Sequence, residues 1–397
     1  MLSRRLLIIV FFISLLFLCL LYFALKPDTG SQSPLSETKL SENIVVDREI
    51  DFTYPNNWRS PELTHSSFEM QSGDMPCALE SNDYTYLSPL PIISQYAEET
   101  SVVMINESHS KSLHRLFIRD VVRELTEKGY DHYGSELFGK DKTAWLNSEI
   151  GLKGSGYLSP EISSLSYWSD PVFGQVTEEL ARLEISFFSF EGDSVNIPPG
   201  TKSSTVYRDK LQAENIASYR ANYPLDKIVV HTGYHHIKEF DDSIYGPWMG
   251  EQFIEMTGIN PLTISQTECY GVGYFDEGHM GYAILADSKG VPISKNGYDL
   301  ILVSAKEEYF KERPIWLRDE MDRKFVPIPE NLIPGDTKDF FLITAREVTR
   351  PLTAPLEDII YRVPFSDKVL ALRSGNYEIF AIDRNKTVVA STKIIVE

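Results

Sequence analysis

The sequence contains only three cysteines, Cys19, Cys77 and Cys269, with no C-x-x-C pair and no Cys/His cluster. That excludes the usual thiolate zinc sites. Basic residues are also scarce: 38 Lys and Arg stand against 57 Asp and Glu, a net charge of −19. A nucleic-acid partner is excluded with them, because phosphate binding needs a basic surface. There is no G-x-S-x-G elbow, no G-x-x-x-x-G-K-[ST] loop and no H-E-x-x-H pair. A nucleophile-elbow serine hydrolase and a phosphate-loop enzyme therefore have no support. No internal repeat is present, which removes solenoids and propellers.

What is there looks globular for most of its length: 42% of residues are hydrophobic and 24% charged, the ordinary balance of a packed chain. The exception is Leu6 to Leu25, an uncharged apolar run after Arg4-Arg5 that ends at Lys26-Pro27-Asp28. It has the length of about 20 residues that spans a bilayer. The apolar region of a cleaved signal peptide is shorter, ~7–15 residues, and precedes small residues that are missing here. Residues 1–26 are read as an uncleaved N-terminal membrane anchor with the basic end cytoplasmic. The body is then extracytoplasmic, periplasmic or at the cell surface. There, Cys77 and Cys269 either form a disulfide or remain two separate buried thiols.

Residues 27–45, rich in Ser, Pro, Thr and Glu, read as a flexible tether. Residues 46–335 form an α/β catalytic-type domain, whose first part, 46–98, is irregular. From 99 onward β-branched runs alternate with helical spacing. Strands are expected at Val102 to Ile105, Tyr130 to Leu137, Ile185 to Phe190, Lys227 to Thr232, Pro261 to Gln266 and Tyr298 to Ser304. Helices are expected at Ser112 to Lys128, Pro171 to Leu183, Thr205 to Tyr223 and Trp248 to Met256. The Gly- and Ser-rich stretch 139–170 reads as a cap or lid. Alternation of this kind implies an α/β fold with a mainly parallel sheet and helices on both faces. From 338 to 397 the helices stop and five short strands follow, a small antiparallel, β-sandwich-like C-terminal domain.

Four strands end in ionisable residues: Glu107 and His109, then Glu136, then Glu191 and Asp193, then His235 and His236. In a parallel sheet these ends share one side, where α/β proteins bind their ligands. Residues as distant in sequence as Glu107 and His236 can meet there. Taken singly, each residue has a plainer reading as a helix cap, a solvated loop residue or a structural ion pair. Glu136, for example, could pair with Arg115 or Arg119. Asn106-Glu107-Ser108 also matches a glycosylation sequon.

Asn106-Glu107-Ser108-His109 resembles the Gly-Glu-x-His motif of the superfamily containing erythromycin esterases, the ChaN-like haem-binding lipoproteins and the TraB/TIKI proteins. Gly233-Tyr234-His235-His236 is similar to that superfamily's Gly-x-x-His, and Glu136 stands where its members carry a Glu after the second strand. Arg208-Asp209 with Ala213 and Asn215 resembles the helix before the Gly-x-x-His strand. Gly250-Glu251-Gln252-Phe253, Gly258 and Thr263-Ile264 resemble the segment after it. The likeness covers roughly 99–304. Asn106 replaces the motif's first Gly, and Asn tolerates the left-handed conformation better than most residues.

The resemblance implies a membrane-anchored extracytoplasmic hydrolase acting on an ester, lactone or peptide. Glu107, His109, Glu136 and His236 are its candidate catalytic residues. His109 or His236 would serve as general base or metal ligand. Glu107, His109 and His236 form the candidate set for a divalent metal ion. His235, Glu191, Arg115 and Arg208 are secondary candidates. Two alternatives remain open: a haem-binding protein with Tyr234 and Tyr270 near the crevice, and a non-enzymatic surface interaction protein.

Overall fold

A computed structural model describes residues 84–397, apart from 110, 150–155, 158–169, 193–196, 199–202, 241–245, 270, 272–277, 312, 333–340, 352–353, 363–367 and 384–387. The expected anchor, the tether, Cys77, Asp193, Tyr270 and most of the expected cap lie outside the described residues. Among those described, no helix is long and apolar enough to cross a membrane.

The centre of the molecule is an eight-stranded mixed sheet. Its strands are β1 (Tyr84–Leu87), β2 (Val102–Glu107), β3 (Tyr130–Ser135), β4 (Ser186–Phe188), β5 (Lys227–Gly233), β6 (Leu262–Cys269), β7 (Tyr282–Asp287) and β8 (Leu300–Ser304). They lie in the order β1-β7-β8-β6-β2-β5-β3-β4. The six strands from β8 to β4 pair in parallel, and β7 and β1 extend that edge antiparallel. The mainly parallel sheet read from the alternation is therefore present. The antiparallel edge was not foreseen, because β1 lies in the stretch read as irregular and β7 follows β6 with no helical spacing between them.

The residues of β2 are buried along its whole length, as expected of a strand covered on both faces. Val103 and Ile105 point into one core with Leu116, Phe117, Val121 and Phe173, from helices Ser112–Thr126 and Pro171–Arg182. Val102 and Met104 point into the other with Ala213, Ile216 and Phe253, from helices Ser204–Asn222 and Met249–Thr257. The period-2 alternation of β2 thus feeds two separate cores. Helix Met249–Thr257 ends at Gly258, whose φ of +70° closes the last turn, a conformation that glycine adopts without a Cβ penalty.

The C-terminal part carries a four-stranded antiparallel sheet in the spatial order Asp358–Arg362, Phe341–Glu347, Gly375–Ile382, Val388–Val396. Lys324–Pro327 pairs with Val369–Leu372 beside it, so a strand before the expected boundary near 335 joins the β part. Its core gathers Ile343, Ile360, Leu370, Leu372 and Ile379. Cys269, the last residue of β6, is disulfide-bonded. Its partner lies outside the described residues.

Candidate active site

β2, β5 and β3 are neighbours in one register, with Glu107 opposite Gly233 and Ser135 opposite His231. Glu107 is the last residue of β2, not the first of the loop, and is 1% exposed. A buried carboxylate needs charge and hydrogen-bond partners, and Arg115 supplies them from the first turns of the following helix. Its Nε donates to Glu107 Oε2 at 2.8 Å and its Nη2 to Oε1 at 3.1 Å, a two-point grip of the kind guanidinium geometry favours. Arg115 Nη2 also donates to the His109 carbonyl at 2.7 Å, and Nη1 to Asp170 Oδ2 at 2.5 Å. Burial would raise the Glu107 carboxyl. The charges of Arg115 and His231 and a hydrogen bond from His109 hold it well below the usual carboxylate range.

His109 lies 3.1 Å from Glu107 Oε1 through Nδ1. An ionised carboxylate can only accept, so Nδ1 donates. Nε2 is left to carry the lone pair whenever the ring is neutral. The imidazole is 28% exposed beside a carboxylate that is 1% exposed. It packs against Gly233 so closely that a Cβ there would lie 2.3 Å from Cε1 and 2.6 Å from Nε2. The glycine of Gly-x-x-His is explained by that approach. The Tyr234 ring meets the imidazole edge-on at 4.9 Å.

Glu136 follows β3 in a short 3-10 turn and is 4% exposed. Its Oε2 accepts from Gly233 N at 2.6 Å and from Thr232 Oγ1 at 2.8 Å. Its Oε1 accepts from Arg208 Nη2 at 2.7 Å. Neither Arg115 nor Arg119, the partners considered from sequence, reaches it: Arg115 is committed to Glu107 and Asp170, and Arg119 to Asp120. Burial would raise the Glu136 carboxyl. The charges of His236, Arg208 and His109 lower it instead. Arg208 also pairs with Glu191, through Nε at 3.0 Å and Nη2 at 2.5 Å.

His236 donates through Nδ1 to Asp209 Oδ1 at 2.7 Å, and its Nε2 lies 3.4 Å from Arg208 Nη1. Burial would lower this imidazole. The hydrogen bond to Asp209 and the charges of Glu136 and Asp209 outweigh burial and the Arg208 charge, and raise it above its ordinary value. His235 turns away, with Nδ1 3.3 Å from the Tyr298 hydroxyl. Glu107, His109, Glu136 and His236 therefore converge, with Arg115, Arg208 and Glu191 as the arginine–carboxylate frame. His235 is outside it.

Three members of the site carry no signal at a strand end. His231, inside β5, is 1% exposed. Its Nε2 lies 3.1 Å from Glu107 Oε2 and its Nδ1 2.6 Å from the Tyr133 hydroxyl. A His inside an apolar strand had the signal of a core residue. Asp209 was visible only as part of a helix motif, and Asp170 only as a residue before Pro171. Asn106 is corrected on two counts. It is an extended strand residue, while the left-handed position is Tyr234, at φ +43°. Its side chain is 0% exposed, with Nδ2 donating to Tyr234 O at 2.5 Å and Oδ1 accepting from Gln266 N at 2.6 Å. The sequon is thus not an accessible one.

The expected metal set does not fit this geometry. Both Glu107 oxygens accept from Arg115, and Oε1 from His109 as well, and the ligand atoms of Glu107, His109 and His236 are not gathered at coordination spacing. Among the described residues, one group of three has its ligand atoms within 4.8 Å of one another: Asp131, His132 and Asp226. It lies at the starts of β3 and β5, the end of the sheet away from the site.

No family model matches the sequence, and no curated protein matches it. Solved structures similar to the fold include the type III effector HopBA1, at 14% identity over 60% of this chain and 100% of that one, TM-score 0.38. Another is RRSP, a MARTX toxin effector domain from Vibrio vulnificus CMCP6, at 16% identity over 44% of this chain and 35% of that one, TM-score 0.33. A third is ChaN of Campylobacter jejuni, described with cofacial heme binding, at 10% identity over 56% of this chain and 98% of that one, TM-score 0.32.

Proposed function

We propose that the chain is a hydrolase of the extracytoplasmic space, held to the membrane by residues 6–25, whose substrate is an ester, a lactone or a peptide. The observation that carries this reading is the placing of two imidazoles, each held by a carboxylate, at the carboxyl ends of the central parallel strands. His109 has Nδ1 held by Glu107 and its Cε1–Nε2 edge against Gly233, with the ring 28% exposed. In its neutral form it takes a proton from the attacking water. His236 is held by Asp209 and biased toward its charged form. It returns a proton to the leaving group. Two imidazoles, each with Nδ1 held by a carboxylate, are suited to act as a base and an acid. Arg208 stabilises developing negative charge next to His236, and Glu136 with Glu191 keeps it in place.

The test uses p-nitrophenyl acetate, a simple lactone and an unstructured peptide, with the full chain. His236→Ala and His109→Gln should each abolish hydrolysis. His235→Ala, outside the frame, should retain it. Full activity in His109→Gln would overturn the reading. Retained activity in His236→Ala would overturn the acid role.

A further inference from the structure

The C-terminal β part meets the α/β part at helix Pro171–Arg182. Gly174 lies against Pro355 so closely that a Cβ there would come within 2.7 Å of the proline Cβ. One turn further on, Arg350 Nη2 pairs with Glu178 Oε1. The same helix starts at Asp170, which is 4% exposed. Asp170 Oδ1 accepts from Val172 N at 3.0 Å and caps the helix, while Oδ2 accepts from Arg115 Nη1 at 2.5 Å.

Both Asp170 oxygens are thus occupied, one by the helix and one by Arg115. The place of the helix start fixes the place of Oδ2, and Oδ2 holds one corner of a rigid planar guanidinium. The other corners hold both Glu107 oxygens and the His109 carbonyl. A shift of the helix start therefore moves the carboxylate and the backbone that orient the imidazole together. Gly174 is what lets Pro355 seat on the helix, and Arg350 pins the same helix one turn on.

We propose that Asp170 is a positioning residue for the Glu107–His109 pair, and that the C-terminal β part sets its place by bracing helix Pro171–Arg182 through Pro355 and Arg350. The β part is then a working component of the site's geometry. The consequence for turnover rests on the hydrolytic reading above. The consequence for His109 does not.

The test is imidazole 15N NMR of the full chain, practical because the sequence has only eight histidines. His109→Gln identifies the His109 signals by their loss. Asp170→Asn keeps a capping oxygen and removes the charge. It is expected to shift His109 from a single Nδ1–H tautomer toward a mixture of both. In the same variant kcat for p-nitrophenyl acetate should fall roughly 100-fold, the scale of a misplaced catalytic group, with KM little changed. Asp170→Glu should restore part of both. Arg350→Ala and Glu178→Gln should move the His109 signals in the same direction by less, and they carry the test if Asp170→Asn does not fold. Wild-type His109 signals in folded Asp170→Asn would overturn the positioning role. Wild-type signals in both Arg350→Ala and Glu178→Gln would overturn the role of the β part. Shifted signals in a protein that hydrolyses none of the probes would leave the positioning intact and reject the hydrolase.

Discussion

Two buried charge networks in this chain are alike in composition and differ in what they leave open. At the carboxyl end of β2, Arg115 joins Glu107 and Asp170, all nearly inaccessible. In the C-terminal part, Arg313 Nη2 donates to Asp358 Oδ1 at 2.6 Å, Arg373 grips Glu357 at 2.7 and 2.8 Å, and Arg323 donates to the carbonyls of Glu357 and Ala371. Arg313, Arg323, Glu357 and Asp358 are all 2% exposed or less. The first network orients a histidine that reaches solvent. The second ties its carboxylates to the backbone, with Asp358 Oδ2 accepting from Ala371 N, and reaches solvent through Arg373, an always-charged guanidinium that exchanges no proton. Buried ion pairs and displaced titrations occur in both. The partly open imidazole is what separates chemistry from architecture, and perturbed groups alone do not identify a site.

The largest expected effect comes from removing one arginine of each network, Arg115 and Arg313, in parallel. Arg115→Met strands Glu107 and Asp170, and Arg313→Met strands Asp358. Each should cost about 3–5 kcal/mol, the scale for breaking one side of a buried pair, read by denaturant unfolding. The difference lies in turnover per folded molecule, lost in Arg115→Met and kept in Arg313→Met. Glu107→Gln belongs with the first. A residue on the loop after the strand would change stability little on substitution. Because Glu107 is a buried strand residue paired with Arg115, its substitution should lower both stability and turnover.

A smaller and more local break is Gly233→Ala. Its Cβ has room only if His109 moves. Turnover should drop by roughly 100-fold, as for a displaced catalytic group, while the unfolding midpoint changes by a few degrees. An unchanged rate would show that His109 need not stay where Glu107 holds it.

Glu107 and Glu136 have folded-state values below the ordinary 4.5. Their contribution to stability is full above about pH 4.5 and is lost as pH falls through the lowered values. His236 runs the other way, because its folded value lies above 6.5. Its contribution is full below about pH 6.5 and is lost as pH rises through the raised value. Thermal midpoints measured against pH should therefore fall on the acid side. The variant His236→Gln should flatten the decline above neutrality. A midpoint independent of pH on both sides would contradict the ionisation states assigned here.

The smallest effect lies outside both networks. Glu239 is pushed up to about 7 by burial and by Asp299, with Thr263 Oγ1 donating to it at 2.7 Å. A carboxyl raised in this way stabilises below about pH 4.5, and that contribution is lost as pH rises through 7. Glu239→Gln should then raise the midpoint at pH 8 by a few degrees at most, since solvent screens a partly buried group, and by less at pH 5. Equal midpoints at both values would remove Glu239 from this description.

Much of the fold was legible because its signals are local. β-branched runs and helical spacing placed β2, β3, β5 and the helices beside them within a few residues, and five C-terminal strands were found as strands. β1 and β7 were not found, since an antiparallel edge carries no helix to announce it. Within the site, residues at strand ends were legible and residues inside strands were not. Glu107, Glu136 and His236 interrupt apolar runs or follow them. His231 is embedded in Ile228-Val229-Val230-His231 and reads as core. Asp170 has no sequence signal beyond a cap before Pro171, because its partner Arg115 is brought to it only by the packing of two helices.

The most direct measurement of the central claim is hydrolysis by His109→Gln beside its own unfolding curve. Glutamine can keep a polar contact to Glu107 but cannot act as a base at Nε2. The expected result is a midpoint within a few degrees of wild type and no turnover of any probe that wild type hydrolyses. Wild-type turnover in that folded variant would contradict the assignment of His109 as the base.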